Sequence, residues 1–235
     1  MMIVLLITFA LGQSPCGTHA SVIAAATERA ALFDLRGATT LLAGDLSTCA
    51  ETAVPYWYLH GLTAAREAYR FGGSPESLEP VKIAITQLAS HAADARAAEI
   101  ARIVLMAASA AAQSEREEMG LLLEHALDLE RLQRSAGLPG APLVTVDEVS
   151  GDLWLQVHRF DDARRAYLRA EQIGPTRRVT LGLARTAFRL NDLPDACRRY
   201  RALVAAWPRE AGEPPELAEA RTFLRRPECR ARSPQ

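Results

Sequence analysis

Histidines are the first side chains in this 235-residue chain whose spacing suggests chemistry. His60, His91, His125 and His158 follow one another at intervals of 31, 34 and 33 residues. Histidines that a repeating fold stacks in one column could bind a transition metal. However, His158 lies in a predicted turn and His125 lies inside a predicted helix, so the regular spacing places them on different faces. We therefore expect no metal site and no cofactor.

Motifs of known catalytic sites are absent from the sequence. It contains no HExxH motif, no glycine-rich phosphate loop after a strand and no nucleophile elbow. The carboxylates of EREEMG (115–120) and FDDARRAY (160–167) stand at predicted helix starts, where they stabilise the helix through its macrodipole. General acid–base catalysis needs groups with a reason for a perturbed pKa, and the pattern supplies none. We predict that the protein is not an enzyme; a helical enzyme whose site is dispersed along the chain is an alternative.

A row of arginines is the strongest candidate for a binding site. Arg178, Arg185 and Arg189 are spaced by seven and four residues, which places them on one face of a helix. Guanidinium groups bind carboxylates through two hydrogen bonds. The preceding predicted helix presents Glu148, Asp152 and Gln156 at the equivalent spacing. Two interpretations stay open: a groove that binds an acidic ligand, or ion pairs between repeats such as Asp152 with Arg185, each worth ~0–1 kcal/mol if exposed.

The charge is unevenly distributed along the chain. Between positions 159 and 232 there are 17 arginines and 10 acidic residues, although the whole chain has a net charge of -1. This asymmetry indicates either an anionic partner or two parts of the protein that attract each other. The arginines occur at helical spacing without interleaved aromatic residues, which disfavours nucleic acid. We expect a protein or peptide as the partner, an acidic one included.

Four cysteines, Cys16, Cys49, Cys197 and Cys229, lack the close pair spacing of zinc or thioredoxin sites. An even number of cysteines in an exported chain permits disulfides. Three connectivities are possible, and the local one, Cys16 with Cys49 and Cys197 with Cys229, closes the shortest loops. Four unpaired thiols are the alternative.

The N-terminus, MMIVLLITFALG, resembles the apolar region of a secretory signal. It is too short to span a bilayer as a helix, and we expect no integral membrane span in the mature chain. Small residues at 10–12 and at 18–20 offer cleavage sites, but the usual preceding positive charge is missing. We predict a signal peptide over residues 1–20 and a periplasmic or envelope location; a cytoplasmic protein with a core-packed first helix is the alternative.

The elements that carry these residues are predicted to be helices. Hydrophobic residues make up 49% of the chain and charged residues 23%, which is typical of a folded soluble protein. Alanine is abundant and alternating β-branched runs are scarce, which favours helix over strand.

Two stretches of the chain repeat each other at an offset of 33 residues without a gap. Small residues and tyrosines recur where two helices would touch, and proline recurs where the second helix would end. The matching pairs are Gly151 with Ala184, Trp154 with Ala187, Ala163 with Ala196, Tyr167 with Tyr200, and Pro175 with Pro208.

This pattern, over about residues 144–208, resembles the tetratricopeptide repeat of bacterial type, a helix–turn–helix unit of about 34 residues. The departures are Ala187 in place of an aromatic residue, Leu203 in place of alanine, and a period one residue short. The resemblance implies an all-α solenoid of antiparallel helical hairpins, whose first helices line a concave groove that binds extended peptides.

Weaker versions of the pattern extend upstream and give about four hairpins plus flanking helices. We predict one helix over 21–43, a helix closed by Gly72 and Gly73, and a helix that Ser77 caps. AGLPGAP (136–142) is a predicted linker that hinges degenerate repeats (21–138) against two better repeats (143–208), before a capping helix (about 215–226) and tail within 209–235. We predict a protein- or peptide-binding module; a self-associating scaffold or assembly factor is the alternative.

Overall fold

The computed structural model describes residues 19–31, 34–44, 50–92, 95–208 and 212–230. This part of the chain is entirely helical, without a strand. Its helices are α1 (His19–Ala31), α2 (Leu35–Ala43), α3 (Ala50–Arg70), α4 (Glu79–His91), α5 (Arg96–Ala112), α6 (Arg116–Ser135), α7 (Val146–Gln156), α8 (Phe160–Ile173), α9 (Arg177–Arg189), α10 (Leu193–Ala205), α11 (Pro215–Leu224) and α12 (Pro227–Arg230).

Successive helices pack together as neighbouring pairs: α1 with α2, α3 with α4, α5 with α6, α7 with α8, and α9 with α10. Each of the last four pairs has the same kind of turn after its first helix. A residue in the left-handed region, Gly72, Ser114, His158 or Asn191, is followed by a backbone N–H that donates to the carbonyl five residues earlier. This bond is typical of a Schellman motif, which satisfies carbonyls at the helix end. The predicted turn position of His158 is confirmed.

Three predicted helix boundaries were wrong. The helix predicted over 21–43 is two helices, because Asp34 caps α2 by accepting a hydrogen bond from the Gly37 N–H. Ser77 does not cap α4: its hydroxyl donates to the Ser74 carbonyl, and the helix begins at Glu79. The final predicted helix ends at Leu224 and a four-residue helix follows, since Pro227 disfavours helical geometry in the residue before it.

The core does not divide at the predicted linker 136–142. Val146, Val149 and Leu153 of α7 belong to the same buried cluster as the apolar side chains of α3 to α6. Two tyrosines of α3 also donate hydrogen bonds across the linker, Tyr58 to the Val144 carbonyl at 3.2 Å and Tyr69 to the Gln156 carbonyl at 2.8 Å. The segment therefore connects two parts of one buried cluster.

The two matched tyrosines occupy similar buried positions. Tyr167 is 1% exposed and Tyr200 is 2% exposed. The Tyr167 ring packs against both Gly151 of α7 and Gly182 of α9, so closely that a Cβ atom on either glycine would collide with it. Small residues thus recur in the sequence where a ring needs the space between two helices.

Candidate functional site

A cleft of about 340 Å³ brings together four of the five predicted ligand-binding residues. We call it the central cleft; it is lined by parts of α2, α3, α5, α7, α9 and α11. The predicted residues in its wall are Asp152, Gln156, Arg178 and Arg185. Arg189 is not among them.

Arg178 and Asp152 form the centre of a buried network between α7 and α9, which we call the first junction. An Nη atom of Arg178 donates to Oδ2 of Asp152 at 2.7 Å, and the hydroxyl of Tyr167 donates to Oδ1 of Asp152 at 2.6 Å. Nε of Arg178 lies 3.6 Å from Oε2 of Glu148. One guanidinium group therefore faces two carboxylates, and the side chain of Arg178 is only 11% exposed.

Asp152 is thus paired with Arg178. The alternative from the sequence, in which Asp152 pairs with Arg185, was wrong. The Tyr167 ring occupies the space between Gly151 and Gly182. Arg178 stands one turn before Gly182 in α9, where its long side chain reaches Asp152 across the junction. The expected class of contact, an ion pair between repeats, is present with a different arginine.

Arg185 takes part in a second network of the same plan, the second junction. Its guanidinium donates to both carboxylate oxygens of Glu219 in α11, at 3.0 and 2.6 Å. The hydroxyl of Tyr200 donates to Oε1 of Glu219 at 2.7 Å. Tyrosine, carboxylate and arginine are therefore combined twice, and Arg178 and Arg185 spend much of their donor capacity inside the protein.

The pKa values of Glu148 at the first junction and Glu219 at the second junction shift in opposite directions. Burial raises the pKa of Glu148 to about 7, against the opposing effect of Arg178. Burial also acts to raise the pKa of Glu219, but the hydrogen bond and charge of Arg185 outweigh it and lower that pKa. Burial raises the pKa of Tyr167 further above its ordinary value. The first junction therefore holds a carboxyl group that changes charge near neutral pH.

Two arginines of the central cleft were missed in the sequence. Arg66 and Arg70, on α3, line the cleft and are exposed. Neither forms an ion pair or a side-chain hydrogen bond within the described ranges. The available signal was their spacing of four residues, which places them on one helical face. Nothing in the sequence showed that this face lies opposite residues more than 80 positions away.

Comparison of the chain with family models, with curated proteins and with solved structures finds no match. The resemblance to the tetratricopeptide repeat therefore rests on the residues of the chain alone.

A second cleft of about 560 Å³ adjoins the central one, and we call it the C-terminal cleft. It lies between the ends of α7 and α9 and the helix α11, and it shares Leu155 and Arg185 with the central cleft. Arg189 lines this second cleft together with Arg226 and His158. The predicted arginine row is therefore divided between two clefts.

Cys197 and Cys229 are joined by a disulfide, with their Cα atoms 5.5 Å apart. It links α10 to α12, so that the last two helices are tied to the hairpin before them. Cys16 and Cys49 lie outside the described residues, as does nearly all of the predicted signal peptide (1–20).

Among the residues that the structure describes, no group of three or more His, Cys, Asp and Glu side chains is placed to hold a metal ion. In the same ranges, no helix has the length and apolar character needed to cross a bilayer.

Proposed function

We propose that this protein is an exported, tetratricopeptide-like solenoid that binds an extended segment of another protein in the central cleft and performs no chemistry. The composition of the cleft wall supports this proposal. The first helices of the last four pairs (α3, α5, α7 and α9) and the helix α11 all contribute to this wall. A row of first helices along one surface is the arrangement that repeat proteins use for binding.

The observation that carries the proposal is the state of the four arginines in this cleft. Arg178 and Arg185 are fixed by carboxylates of the protein, which holds the wall rigid. Arg66 and Arg70 are exposed and without an ion pair in the described part of the chain, so their donors remain available. Apolar side chains such as Leu62 and Leu155 also line this cleft. Carboxylates and apolar side chains of a peptide complement such a surface.

The disulfide supports the exported location. Disulfides form and persist in oxidising compartments and are rare in the cytosol. The bond between Cys197 and Cys229 therefore agrees with an export signal at the N-terminus.

Selection from a displayed library of random peptides tests the proposal, with the oxidised wild-type protein as bait. The selected peptides are then titrated against the Arg66→Gln, Arg70→Gln double variant by calorimetry. We expect acidic peptides that lose at least tenfold in affinity in this variant, which corresponds to about 1.4 kcal/mol. Arg116→Gln is the matched control, since Arg116 is exposed at the start of α6 and lies outside the cleft. Peptides that bind both variants as they bind the wild type would refute the site.

A further inference from the structure

The C-terminal cleft combines an apolar floor with an excess of positive charge. Leu155, Phe188 and Phe223 supply apolar surface, and Arg189 and Arg226 stand beside them. The single carboxylate of this lining is Glu219, which already accepts two hydrogen bonds from Arg185 and one from Tyr200. The negative charge of Glu219 is therefore already paired within the protein.

The two remaining arginines of the lining have no acidic partner among the residues that the structure describes. Within the ranges that the structure describes, neither Arg189 nor Arg226 forms an ion pair or a side-chain hydrogen bond. His158, exposed in the turn between α7 and α8, lines the same cleft. The lining of the cleft therefore carries a net positive charge that no carboxylate of the described residues neutralises.

Arg226 is held in place without the use of its hydrogen-bond donors. The central carbon of its guanidinium lies 4.7 Å from the ring centroid of Phe188 and 4.6 Å from that of Phe223. Cation–π contacts of this kind fix the position of a guanidinium while its N–H groups remain free at the edge. Phe223 also packs against Tyr200, with centroids 4.4 Å apart.

The wall that carries Arg226 is anchored at Cys229, three residues further along the chain. The disulfide between Cys197 and Cys229 ties α12 to α10, and the guanidinium of Arg201 donates to the carbonyl of Cys229. Rigid placement of a charged group reduces the entropy that binding must otherwise overcome. Arg226 therefore stands on a fixed wall of the cleft, where its positive charge suits a negatively charged ligand.

We propose that the C-terminal cleft binds an acidic peptide segment in which one large apolar side chain is flanked by carboxylates. The apolar side chain contacts Leu155 and the aromatic floor, and the carboxylates pair with Arg189 and Arg226. This inference rests on the proposed function and deepens it, since it assigns the ligand class and a second contact point beyond the central cleft. Continuity through Leu155 and Arg185 lets one extended segment occupy both clefts.

Fluorescence anisotropy with three nine-residue peptides tests the assignment on the full, oxidised chain. The probe has the order Gly-Ser-Asp-Asp-Leu-Asp-Asp-Ser-Gly; one matched peptide replaces every Asp by Asn, and the other replaces Leu by Ser. We expect both replacements to weaken binding by about tenfold or more, since charge-assisted pairs and a buried apolar anchor are each worth at least that factor.

Three variants of the protein locate the contact. Arg189→Gln changes an exposed residue, and Arg226→Lys keeps the charge of Arg226 but removes its planar donor geometry. Each is expected to weaken the probe by about fivefold to tenfold. Arg225→Gln is the matched control, because Arg225 is exposed beside Arg226 but does not line the cleft. It should bind as the wild type does.

The outcomes separate this inference from the proposed function. If Arg66→Gln with Arg70→Gln weakens the probe while Arg189→Gln and Arg226→Lys do not, the central cleft binds the peptide and the C-terminal assignment is wrong. If none of the peptides binds, the ligand class is wrong, and the displayed-library selection decides separately on the proposed function. If a twelve-nucleotide oligothymidylate binds and depends on Arg189 and Arg226 while the peptides do not, the site recognises nucleic acid instead.

Discussion

The first and second junctions each combine a tyrosine, a carboxylate and an arginine, but their surroundings differ. At the first, Arg178 is 11% exposed and faces Asp152 and Glu148 together. At the second, Arg185 is 33% exposed and faces Glu219 alone, which is 36% exposed. The first junction thus has two carboxylates for one buried arginine, the buried Glu148 and the half-exposed Asp152, whereas the second junction is balanced and lies near a disulfide. The difference shows that a repeated sequence pattern fixes the contact type but not its energetics, which depend on burial and on the count of charges.

Removal of each arginine gives the largest expected contrast between the junctions. Arg178→Met leaves the buried Glu148 and the half-exposed Asp152 without their cation, and we expect a loss of about 3 kcal/mol in the free energy of unfolding. Arg185→Met should cost about 1 kcal/mol, because water screens the more exposed pair. Urea unfolding at pH 7 measures both values. Equal losses in the two variants would remove the distinction between the junctions.

The disulfide should account for much of the stability near the second junction. A bond between residues 32 positions apart is expected to contribute about 3–4 kcal/mol through loop entropy. The Cys197→Ser, Cys229→Ser double variant should therefore melt at a lower temperature and lose α11 and α12 first to limited proteolysis. The variant is a cleaner test than a reducing agent, because it changes only these two side chains. A variant that melts like the oxidised wild type would mean that packing alone holds the last helices.

Glu148 should make the first junction sensitive to pH. Its pKa is raised to about 7 in the folded protein, so the folded state binds this proton more tightly than the unfolded state does. Stability is therefore expected to fall as the pH rises from about 4.5 to about 7, by roughly 2–3 kcal/mol at 1.36 kcal/mol per unit of pKa shift. Arg178 acts to lower this pKa, whereas Asp152 and Glu130 act to raise it.

The variant Glu148→Gln isolates this contribution, because it keeps the shape of the side chain and removes its charge. Unfolding of the variant should lack that part of the pH dependence, so the variant should gain on the wild type between pH 5 and pH 8. A difference in stability that stays constant over this range would exclude Glu148 as its source.

The tyrosine hydroxyls should give the smallest contrast. Tyr167→Phe removes a hydrogen bond to Asp152 at the buried junction, for an expected loss of about 1.5 kcal/mol. Tyr200→Phe should cost roughly 0.5 kcal/mol, because Glu219 keeps two bonds from Arg185 whereas Asp152 keeps one from Arg178. Thermal unfolding of the two variants measures the difference, and a reversed order would contradict the ranking of the junctions by burial.

Local features of the fold could be predicted from the sequence, whereas contacts between distant residues could not. Helix type followed from alanine content and apolar spacing, and the buried tyrosines followed from their repetition at 33 residues. The cap of α2 at Asp34 was missed because the apolar pattern runs on across it. The partner of Arg178 was missed because side-chain reach, and not repeat position, decides which acid it meets. Arg66 and Arg70 lie far from α7 and α9 in sequence, so only the packing of α3 shows that they share a cleft with them.

The packing of Tyr167 between Gly151 and Gly182 has a mechanical consequence. One aromatic ring acts as the spacer that sets the distance between α7 and α9, since both flanking positions lack a side chain. A methyl group at either glycine would push the two helices apart and tilt everything after α8 away from α3. The width of the central cleft is therefore adjustable at three positions, Gly151, Tyr167 and Gly182, of which only Gly182 lines the cleft. Substitutions at these positions could adapt the cleft, in evolution or by design, to a thicker or thinner peptide.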